Sequence, residues 1–212
     1  MIMDSFYSEE ELSTCGLKRY GDHVKVSRKC SLYYAEEIQI GNNVRIDDFC
    51  ILSGKITIED YVHISAGVYL FGGEAGITFQ HHSSISSQSV VYAVSDDYSG
   101  EYLTNSTVES EYRHVINAPV VIGAYSVIGA GTIILPGIVL GEGCGVGAAS
   151  LVTKNLKEWM IYKGTPAKVY KKRSRKLLEY LDKERKIMCV GGGAQINNIF
   201  SVCVSVKRGD AA

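Results

Sequence analysis

The chain has 212 residues and a formal net charge of −1 at pH 7, which suits one principal domain with a sizeable core. The balanced charge argues against a nucleic-acid-binding protein, and no apolar stretch approaches the roughly 18 residues of a membrane span. The six cysteines are scattered without a C-x-x-C pair, so they predict free thiols and neither a disulfide framework nor a metal site. An acidic start without signal-peptide features adds to the expectation of a cytoplasmic protein.

The first predicted element is a short helix. Ser8 followed by Glu11 forms a capping-box pattern, which predicts a helix over about Glu9 to Cys15. Val26 is an early strand position in the segment that follows. We therefore assign residues 1–35 to an N-terminal helix and a lead-in to the main domain.

Three runs of apolar residues spaced six apart dominate the middle of the chain. A period of six is neither the 3.6 of a helix nor the 2 of an isolated strand, but it is typical of a solenoid in which each short strand adds one side chain to an internal stack. The pattern predicts an all-β solenoid over residues 36–171. The runs are Ile40, Ile46, Leu52, Ile58, Ile64 and Leu70, then Phe79, Ile85 and Val91, then Ile122, Ile128, Ile134, Leu140, Val146 and Val152.

The residues between these stacking positions are small or polar. The first residue after a stacking position is often Gly, Asp, Glu or Ser, as at Gly41 and Gly123, and the fourth is mostly small, as at Ser126 and Thr132. We expect tight corners there, with glycine or short polar side chains where φ is positive or space is scarce.

The periodicity is interrupted once on a large scale. Val91 and Ile122 are 31 residues apart, and the segment between them has no sixfold phase and is rich in tyrosine and acids. A long loop within a regular array is usually functional or disordered, and three tyrosines favour the functional interpretation. We assign residues 96–118 to this loop, with a merely tolerated insertion as the alternative.

The segment Gly164-Thr-Pro-Ala-Lys168 ends the solenoid. Leucines at helical spacing beyond it predict a surface helix from about Arg173 to Lys186, within a segment 172–190. Three glycines break this helix, and residues 191–212 form a tail whose alternating valines suggest a strand without evident chemistry.

The repeat and its end resemble a known family. The [LIV]-[GAED]-x-x-[STAV]-x repeat, the long loop, Ser150-Leu-Val-Thr-Lys154 and Gly164-Thr-Pro-Ala-Lys168 resemble the hexapeptide-repeat acyltransferases, which include galactoside, maltose and xenobiotic acetyltransferases. The resemblance implies a left-handed parallel β-helix, a homotrimer, and acetyl-CoA as cosubstrate in a groove between neighbouring subunits. No resident metal is expected, because no two histidines have the five-residue separation that resembles the three-histidine zinc site of the γ-type carbonic anhydrases, which share this kind of β-helix.

Two phrases suggest a narrower likeness. Asn43-Val-Arg-Ile-Asp-Asp-Phe-Cys-Ile-Leu-Ser-Gly54 and Tyr92-Ala-Val-Ser-Asp-Asp-Tyr-Ser-Gly-Glu-Tyr102 resemble the dTDP-4-amino-4,6-dideoxy-D-glucose acyltransferases of bacterial surface-polysaccharide synthesis. This likeness implies acetyl transfer to the amine of a nucleotide-linked sugar. The open alternatives are an O-acetyltransferase acting on a saccharide or xenobiotic hydroxyl, and a non-catalytic β-helix scaffold.

The resemblance also implies where the chemistry lies. In the galactoside and maltose members, a histidine acts as general base on the acceptor hydroxyl. The alignment puts Asp96 at that position, with Asp97 beside it, so these two residues are the catalytic candidates. An ordinary aspartate is a weak base for a hydroxyl, whereas an amine needs only orientation and a proton acceptor, so the departure favours an amine substrate. Asp47 matches a sugar-contacting position of the family, and His63 and His114 are further candidates for substrate binding.

The cosubstrate positions follow from the same motifs. Ala130 and Ala148 match residues whose backbone groups bind the pantetheine arm, and the amides near Gly129 and Ala130 are candidate oxyanion donors. Thr153 and Lys154 match a pair near the adenine, and basic residues at Lys168 and Lys171 match those that meet the CoA phosphates. A merely solvated basic run is the alternative. We expect direct attack of the amine on the thioester without an acyl-enzyme.

Overall fold

The computed structural model describes residues 5–181, which form a parallel β-solenoid of about seven coils with little helix. The N-terminal helix α1 (Glu9–Ser13) has the predicted capping box, because the Ser8 N–H donates to Glu11 Oε2 at 2.8 Å and the Glu11 N–H donates to Ser8 Oγ at 3.3 Å. Leu12 of this helix is buried in the main core. The helix therefore covers the first coils of the solenoid. No helix in the described part of the chain is long and apolar enough to cross a bilayer.

Three faces build each coil. Face A consists of β3 (Ile38–Ile40), the end of β5 (Ile51–Ile58), the end of β7 (Tyr69–Phe79), β12 (Val120–Ile122) and β15 (Val139–Leu140). Face B consists of β1 (Lys25–Val26), β4 (Arg45–Ile46), β6 (His63–Ile64), β8 (Ser84–Ile85), β13 (Val127–Ile128), β16 (Gly145–Val146), β18 (Met160–Lys163) and β19 (Lys168–Lys172). Face C consists of β2 (Ser31–Tyr33), the starts of β5 and β7, β9 (Val90–Tyr92), β14 (Ile133–Ile134) and β17 (Leu151–Val152).

The sixfold runs form the internal stack, as predicted. Every residue of the three runs is buried, and parallel pairing places equivalent residues in register. On face B, Ile46 pairs with Ile64, Ile64 with Ile85, Ile85 with Ile128, and Ile128 with Val146. Burial of each such side chain stabilises the fold by about 1.5–3 kcal/mol.

The corners differ from the prediction in one respect. The positive φ falls on the third residue after the stacking position, and several of these residues are not glycine, such as Asn43 (φ 54°), Phe49 (φ 60°) and Tyr125 (φ 59°). Glycine at the first position after the stacking residue is instead required because a side chain would not fit there. A Cβ on Gly41 would lie 2.4 Å from Asp60 Oδ1, and one on Gly129 would lie 2.4 Å from the Ala148 nitrogen.

Aromatic stacking accompanies these left-handed residues at the corner between faces A and B. The rings of Tyr61 and His82 stack with centroids 4.6 Å apart, and those of Tyr125 and Trp159 are 6.5 Å apart. Trp159 lies against Gly143, where a Cβ would approach the indole to 2.5 Å. Such contacts offset part of the backbone strain of a side chain at positive φ.

The two reasons for corner glycine predict different mutational effects. Gly123→Ala should lower the free energy of unfolding by about 3 kcal/mol, because its Cβ would lie 2.6 Å from the Leu140 carbonyl oxygen. Gly131→Ala, in the same coil, should cost only about 1 kcal/mol, because it has positive φ but nothing within 4 Å of its Cβ. Urea denaturation of both variants compares the costs, and equal costs would contradict the steric explanation.

The solenoid begins earlier than the predicted residue 36. β1 pairs with β4 and β2 pairs with β5, both in parallel, so the lead-in already contains the first coil. The phase shifts between Leu32 and Ile40, eight residues apart, because a 3₁₀ turn over Ala35–Glu37 lies between β2 and β3. Because of this turn, the first coil does not share the sixfold phase of the later coils.

The corner between faces C and A carries two further insertions. The first separates Leu70 from Phe79 by nine residues instead of six, and here β7 runs around the corner with an irregular register to β5. The second is the long loop predicted over 96–118. Its base is an antiparallel pair, β10 (Val94–Asp96) and β11 (Val115–Asn117), with a 3₁₀ turn at Ser110–Tyr112 between them.

The last described coil ends with a reversal. β19 pairs antiparallel to β18, and Arg173 fixes the end of β19 because its Nη1 donates to the carbonyl oxygens of Tyr125, Gly143 and Cys144 at 2.7, 3.0 and 3.2 Å. The chain divides into two compact units after Arg173. Helical backbone begins at Leu178, later than the predicted start near Arg173. The remainder of the predicted helix and the tail 191–212 lie outside the described residues.

Candidate active site

The hairpin of β10 and β11 separates the two candidate catalytic carboxylates. Asp96 pairs with Val115, and Val94 pairs with Asn117. Because successive side chains of a strand point to opposite faces, Asp96, Val94, Val115 and Asn117 share one face of the hairpin. Asp97 follows on the other face, so the carboxylates of Asp96 and Asp97 point to opposite sides of the hairpin.

Asp97 is held within the loop. Its Oδ2 lies 2.8 Å from His114 Nδ1, and the Tyr102 ring lies 5.1 Å from the His114 ring. Hydrogen bonds from Ser99, and then from His114, lower the pKa of Asp97 from its ordinary 3.8 to about 2. Asp97 and His114 therefore connect the two sides of the loop.

This depressed pKa predicts the acid response of the loop. The ionised form of Asp97 is the one that stabilises the hairpin, so its contribution is complete above pH 3.8 and is lost as the pH falls through about 2. Ser99→Ala should raise the pKa of Asp97 towards 3.8 by removing the leading hydrogen bond. Carboxyl ¹³C NMR titration measures this pKa, and an unchanged value in Ser99→Ala would contradict the assignment.

Asp47 and His63 form a second pair on the outer side of face B. His63 Nε2 lies 2.8 Å from Asp47 Oδ2, and Arg45 Nε donates to Asp47 Oδ1 at 2.7 Å. Burial acts to raise the pKa of Asp47, but the hydrogen bonds from His63 and Arg45 outweigh it and lower the pKa below its ordinary value. Asp47 is thus a carboxylate that orients an imidazole and a guanidinium.

A groove of small residues continues from this pair along the corner between faces B and C. The residue just after the stacking position is Asp47, Ser65, Ser86, Gly129, Gly147 and Lys163 in successive coils. Ala130 and Ala148 follow two of these residues and are exposed. In the described part of the chain, their N–H groups have no backbone acceptor, while the Ala130 carbonyl accepts from Ala149 at 2.8 Å. Two amide donors without a backbone acceptor therefore lie along the groove.

Basic residues lie at the C-terminal end of this groove. Strand pairing sets Lys163 beside Lys168 and Ile161 beside Lys171, and the three lysines of β19 (Lys168, Lys171 and Lys172) are exposed. Lys163 was not selected from the sequence, although it occupies the groove position next to Gly147, whose Cβ would lie 3.0 Å from Lys163 Cβ. Three coil steps of about 4.8 Å separate Ser86 from Lys163, or about 14 Å.

The remaining candidates lie at a different corner. Thr153 and Lys154 follow β17 and are exposed at the corner between faces C and A, the same corner that carries the hairpin with Asp96. The sequence-predicted residues therefore fall into two groups, at the two ends of face C. A single chain does not bring these two groups together.

A cavity of about 960 Å³ lies at the corner between faces C and A, below the hairpin. Sequence reasoning missed it, because six separate segments contribute to it. We call it the hairpin cavity, and its walls are Lys18, Tyr34, Glu37, Ser53, Gly54, Lys55, Gly73, Glu74, Val94, Arg113, Val115 and Asn117. Among residues 5–181, no three histidine, cysteine or acidic side chains come together as possible metal ligands.

A parallel β-solenoid of six-residue repeats is the architecture of the hexapeptide-repeat transferases. The model of the family "Bacterial transferase hexapeptide (six repeats)" matches residues 37–72. Over 178 residues the chain is 40% identical to a dTDP-4-amino-4,6-dideoxy-D-glucose acyltransferase from Escherichia coli, covering 82% of this chain and 92% of that protein. The chain belongs to the hexapeptide-repeat acyltransferase family, as its motifs indicated.

Solved structures agree with this assignment. AntD, an N-acyltransferase from Bacillus cereus, is 46% identical with a TM-score of 0.86, and the match covers 88% of this chain and 100% of AntD. That structure holds dTDP and 3-hydroxybutyryl-CoA. A variant of AntD in which a serine is replaced by cysteine holds dTDP-4-amino-4,6-dideoxyglucose and coenzyme A. The predicted left-handed parallel β-helix is confirmed by this likeness.

Proposed function

We propose that the protein transfers an acyl group from acyl-CoA to the amine of a nucleotide-linked sugar of the dTDP-4-amino-4,6-dideoxyglucose type, for bacterial surface polysaccharide. The observation that carries this proposal is the 46% identity to AntD over the whole of AntD, whose structures hold both kinds of ligand. Acetyl-CoA is the cosubstrate we favour. The free, buried thiols of Cys30, Cys50 and Cys144 suit a reducing cytoplasm.

The groove between faces B and C suits the cosubstrate. Pantetheine carries amide groups that can accept from the N–H groups of Ala130 and Ala148, which have no backbone acceptor in the described residues, and its passage requires small side chains there. Lys168 and Lys171 lie at the basic end, where they would meet the CoA phosphates as charged donors. The thioester would then lie near Gly129 and Ser86, towards Asp47 and His63.

A second copy of the chain would bring the two corners together. Asp96, Thr153 and Lys154 lie at one end of face C, and the groove lies at the other end. In a homotrimer with parallel axes, the hairpin of one subunit would meet the groove of its neighbour, and three complete sites would form. The active site therefore belongs to the trimer in this proposal, as the family resemblance implied.

The AntD structures support Asp96 as the catalytic carboxylate. Among the variants solved with these ligands, a serine and an aspartate ten residues after it were replaced. Ser86 and Asp96 have this separation in the present chain, and so do Ser87 and Asp97. The hairpin geometry favours the first pair, because Asp96 lies on the face of the hairpin whose residues Val94, Val115 and Asn117 line the hairpin cavity.

The reaction needs no acyl-enzyme. The neutral amine attacks the thioester carbonyl carbon, the C–N bond forms, and amide donors near Gly129 and Ala130 stabilise the oxyanion. The C–S bond then breaks and CoA leaves. The proton lost by the nitrogen passes to the Asp96 carboxylate and from there to the sulfur. Free amino groups titrate near 8, so a useful neutral fraction exists at pH 7.

A CoA-release assay tests the proposed function. It compares dTDP-4-amino-4,6-dideoxyglucose with the matching 4-hydroxy sugar, and acetyl-CoA with 3-hydroxybutyryl-CoA. We expect turnover of the amine only, and faster turnover with acetyl-CoA. Turnover of the hydroxyl sugar would favour an O-acyltransferase that uses one of the two Asp–His pairs, and failure to bind CoA would favour a scaffold. Analytical ultracentrifugation checks the trimer.

A further inference from the structure

The corner between faces B and C changes in side-chain size at one coil step. Its three residues are Gly147-Ala-Ala149, Gly129-Ala-Gly131, Ser86-Ser-Gln88 and Ser65-Ala-Gly67 in successive coils towards the N-terminus. Only Gln88 among them has a long side chain. In the next coil the same three positions are Asp47-Asp-Phe49, and Phe49 is 62% exposed. The groove of small residues therefore ends at this coil.

A charged cluster fixes the side chains at this end of the groove. We call Arg45, Asp47 and His63 the end wall. Both carboxylate oxygens of Asp47 have a partner, because His63 Nε2 lies 2.8 Å from Oδ2 and Arg45 Nε donates to Oδ1 at 2.7 Å. The Asp47 side chain is only 18% exposed, so loss of either contact would leave a poorly hydrated oxygen without its partner. Asp47 is therefore held in place and does not rotate away to lengthen the groove.

The imidazole of His63 closes the step between two coils. His63 belongs to the same coil as Ser65 and pairs in register with Arg45 of the preceding coil. Its Nε2 contacts Asp47 of that preceding coil, so the ring spans the distance between the two. Neighbouring coils are about 4.8 Å apart, and Ser65 lies one step beyond Ser86. About one coil step of groove is therefore open between Ser86 and the end wall.

We propose that the end wall limits the length of the acyl group that the protein transfers, with His63 as the residue that determines this specificity. The inference rests on the proposed function, in which the thioester lies near Ser86 and its acyl group points towards the end wall. An acetyl group adds only one methyl group beyond the carbonyl carbon and fits within one coil step. A hexanoyl chain is longer than that step and would meet the imidazole.

A long acyl chain has two ways past the end wall, and both are unfavourable. It can displace the His63 ring, which breaks the contact with Asp47 and leaves the carboxylate without one partner. Alternatively, its methylenes can lie against the charged groups and remove water from them without replacing the lost hydrogen bonds. A single methylene changes the relative rates of two substrates by about 10-fold to 200-fold. Several methylenes should therefore exclude the chain.

A catalytic role is the competing explanation for His63, because an imidazole held by a carboxylate can accept a proton. The two roles differ in their effect on a series of acyl donors. Loss of a proton acceptor lowers the rate with every donor, whereas loss of a length limit changes the ratio between long and short donors. General damage to the site also leaves that ratio unchanged.

Steady-state kinetics on the full-length protein test the proposal, with acetyl-CoA, butyryl-CoA and hexanoyl-CoA as donors and dTDP-4-amino-4,6-dideoxyglucose as acceptor. In the wild type, kcat/KM should be about a hundredfold lower or more with hexanoyl-CoA than with acetyl-CoA. His63→Ala should raise the hexanoyl-to-acetyl ratio about tenfold or more. Ser65→Leu fills the open step, so it should lower the butyryl-to-acetyl ratio about tenfold. The matched control is His81→Ala, a partly buried histidine at the corner between faces A and B, which should leave both ratios unchanged.

The outcomes separate this inference from the proposed function. Wild-type protein that acetylates the amino sugar, with unchanged ratios in His63→Ala and Ser65→Leu, would overturn the end wall alone. Equal use of hexanoyl-CoA and acetyl-CoA by the wild type would do the same, and so would an equal loss with all three donors in His63→Ala. Wild-type protein that acylates the amino sugar with no donor would overturn the proposed function and this inference with it. Should His63→Ala fail to fold, as circular dichroism would show, Ser65→Leu decides.

Discussion

Replacing Asp96 by asparagine should lower kcat for N-acylation at pH 7 by about a hundredfold or more, with little change in KM for acyl-CoA. The amide keeps the size and the acceptor oxygen that Asn105 N–H contacts at 3.3 Å, but it cannot take the proton from the nitrogen. The deficit should shrink above pH 8, where the amine is neutral without assistance. Steady-state kinetics from pH 6 to 9 measure both effects.

The matched control for this variant is the neighbouring carboxylate. Asp97→Asn removes the same charge on the other face of the hairpin, where the side chain contacts His114. We expect a loss of no more than about threefold, through a looser loop, with the pH profile unchanged. Comparable or greater loss in Asp97→Asn, or full activity in Asp96→Asn, would refute the assignment of the proton acceptor.

A larger side chain in the cosubstrate groove should cause a similar loss, but in kcat/KM for acyl-CoA and not in kcat alone. Ala148→Leu should lower kcat/KM for acyl-CoA by about a hundredfold, because displacing a reacting group by about 1 Å can cost that much. The side chain is exposed, so the fold should tolerate the change. CoA affinity from calorimetry and steady-state kinetics should fall together.

A size series provides the control for this position. Ala148→Gly and Ala148→Ser should retain most of the activity, since neither fills the groove. Binding of dTDP should be unaffected in all three variants, because residue 148 lies at a different corner from the hairpin. Activity that does not depend on side-chain size at residue 148 would place the pantetheine elsewhere.

The sequence was sufficient for the internal stack because its cause is local and repeated. Each short strand contributes one inward-facing residue to the stack, and the repeated burial of that residue produces the spacing of six in the sequence. The first coil was not predicted, although Tyr20, Val26 and Leu32 are six apart. Their phase is lost at the 3₁₀ turn Ala35–Glu37, which adds residues that no periodic search anticipates.

Corner glycines show a subtler limit. Sequence alone marks Gly41 and Gly129 as special but does not distinguish a need for positive φ from a need for space. That distinction depends on the neighbouring coil, whose Asp60 and Ala148 atoms would lie 2.4 Å from an added Cβ. Likewise, Asp96 and Asp97 are equivalent in sequence, and only the pairing of β10 with β11 places them on opposite faces.

The hairpin cavity could not be predicted at all. Lys18, Lys55 and Arg113 come from three segments that share no motif, and they meet because successive coils present the same corner. The lysines at the end of the groove were easier to find, because a recognisable motif closes the repeat beside them. Lys163 lies in the same groove but was not predicted, because its position there follows from strand pairing and not from any sequence motif.

The insertions at the corner between faces C and A have an evolutionary consequence. On either side of the hairpin the ladder continues undisturbed, with Ile77 of β7 paired to Val120 of β12. Because each coil depends only on its neighbours, the hairpin can lengthen, shorten or change its residues while the coils keep their register. In the proposed function, the hairpin that would meet the acceptor sugar can therefore change without altering the groove that would hold the acyl donor.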